Sequence, residues 1–517
     1  MLNNKVGRTN KPSLTALVLA MSLSCVAQAQ TTVVKATTVA SNANSVVSTA
    51  SKSATGTMVA AAVTTATKAV SSTTTTTPTS IWGNYTRPFS ADSLWNSRPN
   101  NPVLDTVFTI PKSSYYPSIT PGAYSTGMYL AKTTDPAMTI SGLTTNGVWD
   151  PDEERYKTSV TLPRWPADAL PASGTDGHCD IVDPVTGIIH SFWKLRQVNG
   201  KWVAQQYAWT KLNGTGWGDP SHYFQGARAA GVPTSAGLIR KHEVEDGDTV
   251  YRHALAMSLT MTGLSPSPAY VFPATSADTG AATRNTGRIP EGARVMLPAS
   301  YDTSKIADLQ LRKVADTLKL YGAYVVDMNT GTPFSIYVEN GAAFDLHKGG
   351  WNNANAAELD RIRASLRMVV SSDGYINGDS KVIRPTSNLS PLSMRGTWTR
   401  KTGTATGPFD TLAQAVVFPA TTTAIVQTNA SSRVLGSVDW SSRRVGSTQV
   451  LTAITTGGGK LRLQVNVAGK TVFDSGDLTN NQSARFVWPA NATTVLTTTS
   501  GTSGASTVSG TLLEVGL

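Results

Sequence analysis

Hydrophobic and polar positions along this chain alternate with a period of two more often than with the helical period of 3.6. Tyr251, His253, Leu255, Met257 and Leu259 fall on one side of a run whose other side carries Arg252, Ala254, Ala256 and Ser258. That is the pattern of a strand with one apolar face. Leu461, Leu463, Val465 and Val467 alternate with Arg462, Gln464 and Asn466, and an Ala-Gly-Lys turn leads on to Val472-Phe473. From residue 81 to about residue 275, Gly, Pro and Asn interrupt β-branched and aromatic runs about every 8–12 residues, the spacing of short strands in all-β folds.

Two segments break this rhythm. Leu311, Val314, Leu318 and Tyr321 form a helical stripe, with Asp302 or Thr303 as the expected cap and Gly322 as the stop. Leu359, Ile362, Leu366 and Val369 form a second stripe starting near Asn355, with Glu358 as a capping-box partner. Ala323 to Asp327 reads as a buried strand between them. The predicted fold is mainly β with a few helices: a β-sandwich or jelly-roll-like main domain over 81–384, then a C-terminal β-sandwich over 396–517. The Pro- and Ser-rich stretch 385–395 marks the boundary.

The run from Thr175 to His190 predicts one hairpin holding two histidines and several acids. Asp183-Pro-Val-Thr-Gly187 is turn chemistry, and a loop from Pro184 to Gly187 sets Asp183 opposite Ile188. His178, Asp180 and Val182 then share a face with Ile189, Ser191 and Trp193, while Cys179 and Ile181 share the other with His190.

The front of the chain is different. Lys5, Arg8 and Lys11 precede an apolar run from Leu14 to Leu23 and a small-x-small site at Ala27-Gln-Ala29. This predicts a signal peptide, residues 1–29, cleaved near Ala29, and hence a secreted protein, extracellular or periplasmic. Ser22 stands where a lipobox before Cys25 wants Leu, so no lipid is expected. Residues 30–80 are almost all Ala, Thr, Ser and Val and read as a disordered linker. No later run approaches the length of a membrane span.

Charge narrows the partners less than the total suggests. Of the net +11, six charges come from Lys5, Arg8, Lys11, Lys35, Lys52 and Lys68, which leaves +5 for residues 81–517. No basic stripe points to nucleic acid. The two cysteines are Cys25 and Cys179. Loss of Cys25 with the signal rules out an internal disulfide, so a packed core must hold the protein together.

Several short strings stand out together: Asp176-Gly-His178 with Asp183-Pro, Gly237-Leu-Ile-Arg240 with Glu243, Tyr251-Arg-His253-Ala-Leu, Tyr270-Val-Phe-Pro-Ala, Ile289-Pro-Glu-Gly-Ala-Arg294 and Leu320-Tyr-Gly-Ala-Tyr-Val-Val-Asp327. Over roughly residues 85–370 the chain resembles a broad group of secreted bacterial proteins of unassigned function. The resemblance implies a domain and transfers no activity.

The residues suggest three kinds of chemistry. Asp180 and Glu243 are the expected acid–base carboxylates of glycoside hydrolysis, with His178 and His253 nearby. Tyr251 or His253 as base, with Arg240 or Arg252 neutralising a uronate, suits β-elimination. His178 and Asp180 are also the candidates for binding a divalent metal, although no cofactor is predicted outright. Four of the twelve tryptophans lie between Phe192 and Phe224. Trp193, Trp209 and Trp217 suit sugar stacking, whereas Trp202 reads as core. Each acid and histidine also has a plain alternative as a turn cap, surface pair or core residue. The sequence therefore points to a monomeric, secreted carbohydrate-active enzyme acting on a polysaccharide, with hydrolysis ahead of a lyase reaction, and with a non-catalytic glycan- or wall-binding protein as the contrasting class.

Overall fold

The computed structural model describes residues 81–517 except 154, 219–221, 386–387, 390–396, 400–405, 409–414, 429–444 and 516–517. The signal and linker segments, and most of the 385–395 boundary, lie outside the described residues. The protein is mainly β, in several sheets, as the alternation predicts. No helix among the described residues is long and apolar enough to cross a membrane.

A seven-stranded sheet runs in the order Val103–Leu104, Arg367–Ser371, Arg294–Met296, Ala323–Asn329, Leu255–Thr260, Phe334–Tyr337, Ser118–Thr120. Its faces follow directly from period two. Leu255, Met257, Leu259, Ala323 and Val325 pack with Leu311, Val314, Leu318, Leu359 and Ile362 of two helices. Ala254, Ala256, Tyr324 and Val326 face the other way, toward Met128, Val182 and Ile189 of a six-stranded sheet. That sheet runs Met128–Leu130, Cys179–Asp183, Ile188–Trp193, Gln206–Lys211, Val148–Asp150, Arg155–Lys157. Its far side, with Cys179, Ile181, Phe192 and Tyr207, packs on Ile140, Leu162 and Ala204 of a third sheet. Because both faces of the Leu255–Thr260 strand are buried, the small residues at 254 and 256 are packing choices and not solvent positions.

The hairpin has the register its turn dictates. Asp183 pairs with Ile188, Val182 with Ile189, Ile181 with His190 and Asp180 with Ser191. Gly187 has φ +67°, the left-handed position expected at the end of the loop. Cys179 is buried and free, behaving as a small apolar residue.

The helices sit slightly off their predicted bounds. The first spans Leu309–Leu320 and is capped by Asp308, whose carboxyl accepts the Leu311 amide. Asp302 instead takes Ser304 in a local turn. The second spans Asn353–Ser365 and is capped by Asn352. Glu358 accepts from the Tyr301 hydroxyl and pairs with Arg361, so it does not close a capping box. Val369 belongs to the next strand. The Leu255–Thr260 strand starts four residues later than the alternation suggests, which leaves Tyr251 to Ala254 as connecting chain.

Toward the C-terminus, Val416–Thr421, Thr448–Thr456, Ser483–Val487 and Gly504–Val515 form one sheet, and Val426–Thr428, Lys460–Val467, Lys470–Asp474 and Thr493–Thr499 another. Leu461, Leu463 and Val465 point into a core shared with Phe418, Leu451, Leu496 and Leu512, giving a two-sheet sandwich. On the outward side, Arg462 and Gln464 both bond Asp474.

The core that backs the functional region is aromatic. Trp95 and Trp217 stack with centroids 4.7 Å apart and rings 2° from parallel, and Tyr324 meets both edge-on. Trp217 is 3% exposed, which corrects its expected place on a sugar-facing loop. Gly216 beside it has φ +70° and lies against the Phe89 ring, so the loop folds inward. Replacing Trp217 by alanine removes that stack and leaves a cavity. Trp217→Ala is expected to lower unfolding stability by about 3–5 kcal/mol, measurable by urea denaturation.

Candidate functional site

Two concavities hold some of the candidate residues. The larger, about 840 Å³, is lined by both large sheets and their loops. His178, Trp193, Trp149 and Gln206 come from the six-stranded side, and Asp327 and Tyr337 from the seven-stranded side, with Arg228 and Asp278 on loops. The smaller, about 340 Å³, is lined by Arg240, Glu243, Arg252 and His253 among others. Asp180 and Trp209 line neither pocket.

Asp180 is fully buried at the interface between the two large sheets. One carboxyl oxygen accepts the Thr234 hydroxyl at 2.7 Å, and the other accepts the Ser235 amide at 2.8 Å and its hydroxyl at 2.6 Å. The predicted face is right, with Asp180 beside Val182 and Ser191, but that face meets another sheet and not solvent. Asp180 and Glu243 therefore form no carboxylate pair in a common pocket. Among the described residues no group of three His, Cys, Asp or Glu is arranged to hold a metal ion.

The smaller pocket holds a committed ion pair. His253 Nδ1 lies 2.9 Å from the Ala254 carbonyl and Nε2 lies 3.2 Å from the Glu243 carboxyl. With Glu243 ionised both neighbours accept, an arrangement that favours the protonated ring. Burial works to lower the His253 pKa, yet Glu243 beside it holds it above its ordinary value. Burial likewise works to raise Glu243, and the charge and hydrogen bond of His253 more than offset this. A histidine that is already protonated has no lone pair to accept a proton. Tyr251 is buried under the Lys313 ammonium, its hydroxyl pKa pushed up by burial. Arg240 is bound to Glu339 at 2.9 Å and to the Tyr85 carbonyl. Arg252 lies at the surface in a two-pronged pair with Asp248. Trp209 stacks on His222 at 4.2 Å.

In the larger cleft the acids are arranged differently. The Met328 amide lies 2.9 Å from an oxygen of Asp278 and 3.0 Å from an oxygen of Asp327, so one donor spans two carboxyl groups. Burial pushes Asp327 up to about 7, Arg228 pulling against that rise and Asp278 adding to it. Burial also raises Asp278, against the pull of the Met328 amide. Behind them Glu291 is fully buried, its pKa driven well up by burial and by Asp278, and it accepts the Asp278 amide at 3.0 Å. Arg228 donates to Asp327 at 3.1 Å while its guanidinium lies 3.7 Å from the centre of the Tyr337 ring. His178 is 3% exposed and its Nδ1 has no hydrogen-bond partner. Burial, with Arg228 nearby, holds it well below its ordinary pKa, and so neutral. Trp193 donates its indole N–H to Asp176 at 3.1 Å and carries the Lys194 ammonium over one ring face at 4.1 Å.

Of the residues expected from sequence, His178 and Trp193 reach this cleft. Asp278, Asp327, Arg228 and Tyr337 were not expected there. Strict alternation puts Asp327 on the helix-covered face with Ala323 and Val325. The pairing shifts, however: Met257 opposes Val325 and Ser258 opposes Asp327, so Val326 is an extra residue in its strand. This bulge re-aims Asp327 toward the cleft. Asp278 sits in a Ser-Ala-Asp-Thr-Gly loop that reads locally as an ordinary turn.

No family model and no curated protein matches the chain. Partial likenesses exist among solved structures. One is to a glycosylation-associated protein complex from Streptococcus agalactiae, at TM-score 0.17 and 15% identity over 24% of this chain and 45% of that one. Another is to a family two carbohydrate esterase from Cellvibrio japonicus, at 0.14 and 9% over 26% and 34%. A third is to a CBM36-1 domain of a xylanase from the hindgut metagenome of Trinervitermes trinervoides, at 0.13 and 10% over 26% and 98%. Likeness at this level assigns neither family nor activity.

The geometry separates a sheet-locking carboxyl from the cleft acids. Asp180→Ala removes the acceptor of the Ser235 amide and hydroxyl and of the Thr234 hydroxyl, which keeps only Thr126 as a partner, and is expected to cost about 3 kcal/mol. Asp180→Asn keeps one acceptor oxygen and is expected to cost less. Thermal or urea unfolding of the two variants checks the order.

Proposed function

We propose that the larger cleft hydrolyses a glycosidic bond of a polysaccharide, with Asp327 as the general acid and Asp278 as its ionised partner. The observation that carries this reading is the carboxyl pair sharing the Met328 amide inside an aromatic-walled cleft. Hydrolysis needs one carboxyl that gives a proton to the leaving oxygen and one that stays charged. Two carboxyls held this close do not both ionise readily, so at neutral pH the pair keeps a proton. Burial of Asp327 favours that proton on the acid, and the Met328 amide favours charge on Asp278.

Each neighbour has a task. Arg228 fixes Asp327 by a charged hydrogen bond and is itself fixed by Tyr337. His178, held neutral by burial, lines the cleft. Trp149 and Trp193 supply flat apolar surface for a pyranose face. The volume is that of a site for a few sugar units. The signal peptide expected from the sequence fits an enzyme exported to meet a polymer.

Because one amide reaches both carboxyls, their spacing suits the shorter of the two glycosidase geometries, in which the second carboxyl attacks the anomeric carbon. The product is therefore expected to retain its anomeric configuration, as read by proton NMR of the first-formed sugar. Asp327→Asn is expected to lower kcat by about a hundredfold or more while glycan binding persists. Full activity in that variant would overturn the assignment. Glycan binding with no cleavage across a broad polysaccharide panel would favour the non-catalytic class.

The acid must be protonated to act, so activity is present below its pKa and lost above it. kcat/KM is expected to fall as pH rises through about 7, the value to which Asp327 is shifted. A second fall is expected on the acid side, as Asp278 takes up a proton. A flat profile from neutral to alkaline pH would count against Asp327 as the acid.

A further inference from the structure

The larger cleft continues outward as an aromatic strip. Tyr115, Tyr116 and Trp351 are 66%, 48% and 60% exposed, and Tyr116 and Trp351 meet with ring centroids 5.8 Å apart. A lone exposed ring is ordinary, whereas a run of them marks a surface that receives something. The run starts at the rim of the cleft. Gly331, a few positions beyond Asp327, lines the cleft, and a side chain built there would begin 4.0 Å from the Tyr115 ring. The Ser113 hydroxyl accepts the Tyr115 amide at 3.2 Å and donates to the Gly331 carbonyl at 2.7 Å, which ties the two segments together. Ser118 and Thr120, just after the tyrosines, line the same cleft.

The far end of the strip is built to hold its ring still. His347 stacks on Trp351 at 4.4 Å, with the rings 11° from parallel. The Trp351 indole N–H donates to the Asn353 side-chain oxygen at 2.9 Å, and the Asn352 amide donates to His347 Nδ1 at 3.0 Å. Between the two rings Gly349 and Gly350 take φ +78° and +126°, which lets the chain fold back so that His347 lies on Trp351. Asn352 then caps the helix Asn353–Ser365, so the loop is fixed at its end. Restraint of an exposed ring lowers the ordering cost of whatever contact it makes.

We propose that Tyr115, Tyr116 and Trp351 form a second binding surface, on which a polysaccharide chain lies where it leaves the cleft. Flat rings with polar edges stack on the apolar faces of pyranose units and tolerate the water around them. The occupant is a sugar chain and not a protein. A stable protein interface buries about 800 Å² on each partner, and three part-buried rings supply less. The proposal rests on the cleft being a glycan site, and it does not depend on a bond being cleaved there.

The test uses the full chain and two variants of it, Trp351→Ala and Tyr116→Ala. Soluble β-1,4-xylan, mixed-linkage β-glucan and glycol chitin are titrated calorimetrically, each beside its trimer, which a cleft of about 840 Å³ holds by itself. Cleavage is followed separately by new reducing ends. In the unsubstituted protein at least one polymer is expected to bind more tightly than its trimer. Each variant is expected to lower that polymer-to-trimer affinity ratio about tenfold, the worth of one lost ring contact. An unchanged ratio in both variants would overturn the proposal, as would binding to none of the three polymers by the unsubstituted protein. Loss of self-association by light scattering, with the ratio unchanged, would assign the strip to a second copy of the chain and overturn it too. The hydrolase reading fails separately. A lowered ratio with no reducing ends from any polymer keeps the strip and sinks the hydrolase, and reducing ends with an unchanged ratio do the reverse.

Discussion

The cleft exists because two large sheets are held face to face, and one carboxyl group with no route to solvent fixes that interface. Asp180 takes three hydrogen bonds from Thr234 and Ser235, and Thr234 in turn bonds Thr126 next to the edge of the Met128–Leu130 strand. The segment around Ser235 leads to Gly237, whose φ of +65° brings it against Trp95 and the backbone at Leu255 and Ala256. A side chain there would meet the Trp95 ring and the Ala256 amide. One polar anchor on the six-stranded sheet is thus coupled, through a turn, to an inner strand of the seven-stranded sheet. Charge in the interior is costly unless every lone pair finds a donor, and here the donors come from the segment that must be positioned.

Much of this fold is legible from the sequence. The turn Asp183-Pro-Val-Thr-Gly187 sets the hairpin register, and the register sets the faces of His178, Asp180 and Trp193 without reference to anything distant. The alternation of Leu461, Leu463 and Val465 survives intact because that strand has one buried face. What period two does not tell is what a face meets. The face carrying Asp180 is apolar-adjacent and polar at once, which reads equally as a site or as an anchored interface. The structure resolves it along a single strand end: Asp180 is inside the interface, and His178 two residues earlier is at its rim.

The same limit explains the cleft acids. Asp327 is hidden by a one-residue bulge, since a regular strand carries it to the helix side with Ala323 and Val325. Nothing in Ala-Tyr-Val-Val-Asp announces that Val326 is unpaired; the cause is its neighbour strand, Leu255–Thr260. Asp278 is hidden for another reason, because Asp before Thr-Gly is turn chemistry wherever it occurs. Its role comes from meeting the Met328 amide, fifty positions away in the chain. Pairs of this kind are made by tertiary contact and leave no local pattern.

Glu243 and His253 show the opposite case, residues whose types suit catalysis and whose partners remove them from it. A carboxylate and an imidazolium that satisfy each other are low in energy as they stand. Moving a proton between them and a substrate would first break a buried pair. Asp278 and Asp327 are not in that position. They share one amide and repel each other's charge on the wall of an open cleft, with a guanidinium beside Asp327. Their preferred state is one proton between two groups, and burial favours it on Asp327. In the hydrolysis proposed above, that proton goes to the glycosidic oxygen, and Arg228 already stands beside the charge left behind.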